Sequence, residues 1–242
     1  MKTVAIIQAR CGSTRLPRKI LMDLGGQPML ARVVARLSRA EGLDMVVVAT
    51  TTDAGDDEVE TLCRGRNWAC YRGCRDDVLD RYYRAAQEYE AQAVVRVTGD
   101  CPLIDPGVVD LVVGRLHAGS PAVDYVSNIA PTRTYPRGLD TEALTFAALQ
   151  RTWREAKQPP LREHVTPYIH QHPELFVMQC VTHDRDFSRF RWTVDTAEDM
   201  ELARRVYEHF GHDGFSWLDV LAAMEQHPRW QEINSRVRQK EI

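Results

Sequence analysis

Residues 4–19 read Val4-Ala-Ile-Ile-Gln-Ala-Arg-Cys-Gly-Ser-Thr-Arg-Leu-Pro-Arg-Lys19 and join a short apolar run to a cationic turn. The run from Val4 to Ile7 is continuously hydrophobic and rich in β-branched residues, which predicts a central parallel strand buried on both faces. A polar turn, Gly12-Ser13-Thr14, follows at once. Four cations surround it: Arg10, Arg15, Arg18 and Lys19.

This loop has the chemistry of an anion site. Guanidinium groups bind phosphate oxygens in pairs, an ammonium supplies a compact charge, and a glycine turn exposes backbone N–H groups. Ligands of α/β domains bind beyond the carboxyl ends of the strands, so a triphosphate site is favoured over a merely solvated loop. The spacings of a dinucleotide fold and of a P-loop are both missing. We expect Lys19, at the end of the loop, to be exposed and to neutralise phosphate charge.

Length and composition are those of an ordinary globular protein. The chain has 242 residues, 44% hydrophobic and 27% charged, with a net charge of −3. We expect one domain over residues 1–242. No block of positive charge suggests nucleic-acid binding, and no segment suggests a signal peptide or a membrane span, so we expect a cytoplasmic protein.

Apolar periodicity predicts an α/β fold with a mostly parallel central sheet and helices on both faces. Strands are expected at residues 4–7, 45–50, 68–71, 93–97, 123–128, 176–181 and 189–194. Helices are expected from Pro28, in the acidic segment after Asp56, from Val78, from Pro106 and after the caps Thr196 and Ser216.

The segment 142–172 interrupts this alternation. It predicts two helices, 142–157 and 161–172, with Pro167 as a kink in the second. Such a segment suits either a subdomain over the active site or a dimer surface, and we expect the protein to be a homodimer.

Two further stretches offer functional side chains. Asp100 follows the fourth strand on the same side of the sheet as the cationic loop, where a carboxylate can hold a divalent cation, although an aspartate in a turn is also common. Asp195 precedes the helix cap Thr196, which leaves its carboxylate free. The turn-rich loop 132–140 carries aromatic and cationic side chains, including Arg133 and Arg137, and is typical of a recognition loop.

These motifs together resemble a known group. They are residues 6–19, Arg72-Gly-Cys-Arg-Asp-Asp-Val-Leu-Asp-Arg-Tyr82, Arg96-Val-Thr-Gly-Asp-Cys-Pro-Leu-Ile-Asp105, Thr134-Tyr-Pro-Arg-Gly-Leu-Asp140, Arg162-Glu-His-Val-Thr-Pro-Tyr168 and Arg191-Trp-Thr-Val-Asp195. In this order they resemble the CTP-dependent cytidylyltransferases that make CMP-sugars, in the branch called spore coat polysaccharide biosynthesis protein F. The resemblance covers residues 3 to about 210 and implies a nucleotide-diphosphosugar-transferase fold of glycosyltransferase-A type.

The resemblance also implies roles for single residues. The triphosphate and nucleotide loop would be Ala9, Arg10, Gly12, Ser13, Arg15 and Lys19, with Arg15 and Lys19 catalytic. The base and ribose edge would be Gly73, Cys74 and Asp77. Asp100 and Asp195 would hold Mg²⁺, and Arg133, Arg137, Asp140, Glu163 and His164 would face the acceptor.

The implied reaction is the transfer of CMP from CTP to a sugar or sugar acid, with release of pyrophosphate, for surface polysaccharide biosynthesis. Two alternatives stay open: a glycosyltransferase of the same fold, and a nucleotide-binding protein without catalysis. The full set of loop cations favours a triphosphate and so nucleotidyl transfer. Both metal aspartates argue against the non-catalytic alternative.

Overall fold

The computed structural model describes residues 1–119 and 122–239, and in them one mixed sheet carries helices on both faces. The strands are β1 (Thr3–Gln8), β2 (Met45–Thr51), β3 (Ala69–Gly73), β4 (Ala93–Thr98), β5 (Tyr125–Ser127), β6 (Glu142–Thr145) and β7 (Met178–Cys180). The helices are α1 (Met29–Leu37), α2 (Asp57–Gly65), α3 (Val78–Glu88), α4 (Pro106–Ala118), α5 (Phe146–Glu155), α6 (Pro159–His164), α7 (Pro167–Gln171), α8 (Ala197–Phe210), α9 (Trp217–Gln226) and α10 (Trp230–Ile233).

The strand order is β3-β2-β1-β4-β6-β5-β7. Only the pairs that involve β6 are antiparallel, so the predicted mostly parallel sheet is confirmed. Strand β1 lies near the centre and sends Ala5 and Ile7 into one core and Val4 and Ile6 into the other. The first core lies under α1, α4, α8 and α9, and the second under α3 and α5 to α7.

The predicted start of the helix 142–157 is wrong. Residues Glu142–Thr145 form β6, in the interior of the sheet, and α5 begins only after the side chain of Thr145 caps it. A buried glutamate is compatible with this strand because Glu142 pairs with Arg96 and accepts a hydrogen bond from the hydroxyl of Tyr125 at 2.6 Å. The role of 142–172 in dimerisation remains a prediction.

The second predicted helix, 161–172, is two helices. Val165 separates them with φ 72° and ψ −58°, and its flanking residues close a hydrogen bond from Thr166 N–H to the His164 carbonyl at 2.9 Å. This is a γ-turn with positive φ, which is rare and strained. Pro167 therefore begins α7 instead of kinking a longer helix.

The strand predicted at 189–194 is also absent. Only Arg191 forms a β-bridge, to Arg137. The alternating burial is as predicted, since Phe190, Trp192 and Val194 are buried. The neighbouring segment is the loop around Arg137, however, and it does not form a ladder of strand hydrogen bonds with this stretch.

None of the helices in the two described ranges has the length and apolar character needed to cross a bilayer.

Candidate active site

An open cavity of about 320 Å³ lies at the carboxyl edge of β1 and β4. It brings together seven of the predicted site residues: Arg10, Gly12, Ser13, Arg15, Lys19, Asp100 and Asp195. Gln8 and Thr98, the last residues of the two strands, also line it and were not predicted. Ala9 does not line the cavity; it is buried, and its N–H donates to the Ala49 carbonyl.

The cationic loop folds around Cys11. The Cys11 carbonyl accepts N–H bonds from Ser13 at 2.9 Å and Arg18 at 3.0 Å, and its own N–H donates to Asp56 at 2.7 Å. Arg18 takes a left-handed conformation with φ 59° and pairs with Glu58, away from the cavity. The loop therefore presents Arg10, Arg15 and Lys19 to this cavity, whereas Arg18 lines a second, neighbouring cavity.

Lys19 is buried, contrary to the expectation of an exposed side chain. Its side chain is 9% exposed, and its Nζ donates to Asp100 Oδ2 at 2.8 Å, Asp195 Oδ1 at 2.9 Å and the Val194 carbonyl at 2.8 Å. Asp100 and Asp195 thus meet at one nitrogen although they are far apart in sequence. The two carboxylates therefore lie close together, as predicted, while their binding of Mg²⁺ stays a prediction. The expectation that Asp195 has a free carboxylate is wrong.

Asp195 is held by two more cations. Its Oδ2 accepts from Arg15 Nη2 at 2.9 Å and from Arg191 Nη2 at 2.8 Å. Arg191 also binds both oxygens of Asp199, each at 3.0 Å. Arg191 was not predicted as a site residue. Its position on the polar face of the alternating stretch 189–194 could have indicated this role.

Electrostatics in this cluster favour the charged forms of Asp195 and Lys19. Burial alone would raise the pKa of the Asp195 carboxyl, but Lys19, Arg191 and Arg15 outweigh it and the pKa lies below its usual value. Burial alone would lower the pKa of Lys19, but Asp100 and Asp195 outweigh it and raise the pKa. Asp195 and Lys19 therefore form a charged pair across the neutral range.

These shifts predict how the stability contributed by the cluster depends on pH. Asp195 stabilises the fold above its unfolded pKa of about 3.9, and this stabilisation is lost as the pH falls through the lower folded pKa. Lys19 stabilises the fold below its unfolded pKa of about 10.4, and its stabilisation is lost as the pH rises through the higher folded pKa. The difference in unfolding free energy between wild type and Lys19→Gln should be constant from about pH 5 to 9 and shrink in stronger acid. Urea unfolding at each pH measures it. A difference unchanged below about pH 3 would show that Asp195 is not coupled to Lys19.

The predicted base and ribose residues line neither this cavity nor the neighbouring one. Asp77 caps α3 through the Asp80 N–H at 2.8 Å and pairs with Arg162 at 2.7 Å, while Gly73 ends β3 and Cys74 is exposed. A second cavity of about 360 Å³ adjoins the first, shares Arg10 and Gly12 with it, and is lined by Arg75.

The predicted acceptor residues form two groups. In the loop 132–140, Arg133 pairs with Asp140 through two contacts of 2.5 and 3.0 Å. Arg137 is half-buried, is joined to Arg191 by its backbone, and forms no salt bridge among the described residues. Burial, followed by the charge of Arg133, lowers the pKa of Arg137.

The second group is Glu163 and His164, at the end of α6. Glu163 is exposed and His164 half-buried, and neither lines either cavity. The strained turn at Val165 follows them directly. Such strain persists only where the surrounding structure fixes it, and it is enriched at functional sites.

The pair Asp100 and Asp195 fits a Mg²⁺ ion. The position between the two carboxylates already holds a cation, the Lys19 ammonium. Mg²⁺ is usually bound by one or two carboxylates, with substrate phosphates and water completing the shell. No cluster of three or more His, Cys, Asp or Glu side chains suited to a metal occurs in residues 1–119 and 122–239.

Comparison with known proteins adds four findings. A sequence profile described as Cytidylyltransferase matches residues 4–226. The spore coat polysaccharide biosynthesis protein SpsF of Bacillus subtilis is 32% identical over 231 residues, covering 92% of this chain and 94% of the relative. A cytidylyltransferase structure from Leptospira borgpetersenii superposes with a TM-score of 0.92 at 33% identity over 100% of both chains. A CMP:2-keto-3-deoxy-manno-octonic acid synthetase complexed with CTP shares the fold, with a TM-score of 0.67 at 21% identity over 86% of this chain and 99% of the other.

Proposed function

Since the chain belongs to the cytidylyltransferase family, we propose that it transfers CMP from CTP to a sugar or sugar acid for surface polysaccharide biosynthesis, with release of pyrophosphate. One observation carries the proposal: Arg10, Arg15 and Lys19 share a single cavity with Asp100 and Asp195. Family membership favours nucleotidyl transfer over the glycosyltransferase and non-catalytic alternatives.

The triphosphate is placed across the first cavity and the nucleoside in the adjoining one. Arg10 and Gly12 line both, so one ligand can extend from one to the other. The adjoining cavity reaches Arg75, next to the predicted base-edge residues Gly73 and Cys74. The synthetase of the same fold that is complexed with CTP supports this choice of nucleotide.

In the reaction an acceptor hydroxyl attacks the α-phosphorus of CTP in line. The new bond joins the acceptor oxygen to the α-phosphorus, the bond from that phosphorus to the bridging oxygen breaks, and the hydroxyl proton is released. Arg15 and Lys19 stabilise the negative charge that develops on the departing pyrophosphate. Mg²⁺ on Asp100 and Asp195 would act as a Lewis acid toward the phosphate oxygens.

Arg137 supports an acidic acceptor. Arg133 forms a salt bridge with Asp140, whereas Arg137 forms none among the described residues. A half-buried guanidinium without a salt bridge gains from an anionic ligand, and a carboxylate matches its fork geometry. The acceptor is therefore proposed to be a sugar acid.

Pyrophosphate release tests this function. Each of CTP, UTP, ATP and GTP is incubated with Mg²⁺ and a panel of sugar acids and neutral sugars, and CTP with a sugar acid should give the fastest release. CTP should also raise the melting temperature more than the other three, because a ligand bound only by the folded state stabilises it. If all four nucleotides gave the same rate of pyrophosphate release and the same shift in melting temperature, the triphosphate site would stand but the assignment to CTP would be wrong.

A further inference from the structure

In the free enzyme, every carboxylate oxygen of the proposed metal ligands Asp100 and Asp195 accepts a hydrogen bond from the protein. Asp100 Oδ1 accepts from the Thr98 hydroxyl at 2.6 Å, and its Oδ2 accepts from Lys19. Asp195 Oδ1 also accepts from Lys19, and its Oδ2 accepts from both Arg15 and Arg191. All four oxygens are thus engaged by donors of the protein itself.

These donors differ in how firmly they are held. Arg191 is 9% exposed and is anchored by both oxygens of Asp199. Asp199 is in turn fixed by the Asp195 N–H at 2.9 Å and by Asn234 Nδ2 at 2.8 Å. Asp199 balances the charge of Arg191. Arg191 should therefore stay bound to Asp195 when a phosphate enters the cavity.

Lys19 and Arg15 are in a different position. Both line the cavity where the triphosphate is proposed to bind, and the Arg15 side chain is 37% exposed. Lys19 carries its charge on a flexible stem of four methylenes, so its ammonium can turn from one anion to another. A triphosphate offers both cations more negative charge than the two carboxylates do.

We propose that Lys19 occupies the place of the metal ion in the free enzyme, and that the triphosphate of CTP draws it away and thereby makes Asp100 and Asp195 available to Mg²⁺. Arg191 is the positioning residue that keeps Asp195 oriented throughout. This inference rests on the proposed function, because it needs the triphosphate in the first cavity. Its consequence is coupling: nucleotide and metal each raise the affinity of the enzyme for the other.

The decisive experiment measures metal binding without nucleotide. Mn²⁺ replaces Mg²⁺ as the probe, and the free ion is counted by electron paramagnetic resonance in wild type, Lys19→Gln and Lys19→Arg. Lys19→Gln removes the competing charge, so it should bind Mn²⁺ about 5- to 150-fold more tightly than wild type, the range typical of coupling between sites. Lys19→Arg keeps a cation in place and should bind like wild type. A purely structural lysine would not raise metal affinity when it is lost.

Two further experiments measure Mn²⁺ binding in proteins that retain Lys19. In wild type, inorganic tripolyphosphate should raise the Mn²⁺ affinity beyond that of tripolyphosphate alone. In the presence of CTP, Arg191→Lys should bind Mn²⁺ about 10- to 100-fold more weakly, as is usual when the partner that orients a metal ligand is changed. Asn234→Ala loosens Asp199, which anchors Arg191, so it should weaken Mn²⁺ binding in the same direction as Arg191→Lys but by less.

The outcomes separate two failures. If free wild type and Lys19→Gln bind Mn²⁺ equally tightly, the exchange is wrong while the proposed function stands. If Lys19→Gln does not bind Mn²⁺, and wild type does not raise the Mn²⁺ affinity of CTP above that of CTP alone, then Asp100 and Asp195 are not metal ligands. Both the exchange and the metal in the proposed function are then wrong. A thermal melt of each variant shows that it is folded.

Discussion

Lys19→Ala is expected to lower turnover by about 10²- to 10³-fold, the usual cost of removing one preorganised group that stabilises charge in the transition state. Stability should fall as well. The ammonium bridges Asp100 and Asp195, and its removal leaves two carboxylates facing each other with fewer donors. The expected loss is about 1–3 kcal/mol, below that of a fully buried pair because the side chains of Asp100 and Asp195 are 25% and 14% exposed.

Pyrophosphate release and a thermal melt measure the two effects. The matched control is Lys157→Ala, since Lys157 is exposed and should change neither. Lys19→Arg should recover stability better than turnover, because a guanidinium can bridge the two carboxylates but does not reproduce a point charge. Normal turnover in Lys19→Ala, with the fold intact, would remove Lys19 from the catalytic group.

Gly138→Ala should have the largest effect on stability. Gly138 has φ 104°, and a Cβ there would lie 2.6 Å from Thr193 N and 2.6 Å from the Trp192 carbonyl carbon. Both are backbone atoms, so neither can swing aside as a side chain would. Strain in the backbone together with overpacking should cost about 2–5 kcal/mol, which lowers the melting temperature by roughly 5–15 °C.

The control for this variant lies in α4. Gly114 is exposed, and an added Cβ there meets no atom within 4 Å, so Gly114→Ala should be neutral or slightly stabilising. Gly138→Ala should also weaken acceptor use if it folds, because the loop that carries Arg133 and Arg137 packs against the segment leading to Asp195. A melting temperature equal to that of Gly114→Ala would show that the loop yields without strain.

Features encoded within a few residues were predictable from the sequence. Asp105 caps α4, and Thr196 and Asp199 form a capping box at α8, because both depend on side chains that reach their own backbone. The buried strand β1 followed from its continuous apolar run. The alternation of strands and helices placed Asp100 at the correct edge of the sheet.

Features created by distant contacts were not predictable. Glu142 favours a helix on local grounds, and only its pairing with Arg96, 46 residues away, explains its place in a buried strand. Lys19 is buried by Asp100 and Asp195, which lie 81 and 176 residues further along the chain. The role of Arg191 depends likewise on Asn234 and Asp199, whose contact with one another spans 35 residues.

The position of β6 between β4 and β5 constrains how the chain folds during synthesis. Strands β1 to β4 can assemble as soon as residue 98 has emerged, but the open edge of β4 has no partner until Glu142–Thr145 arrives. β5 is made earlier than β6 yet has only β6 and β7 as neighbours, so it must wait for both. During that interval the nascent protein exposes an unpaired apolar strand edge, which is the kind of surface that aggregates and that chaperones bind. Asp195 is made later still, so the cluster around Lys19 closes only after the sheet is complete.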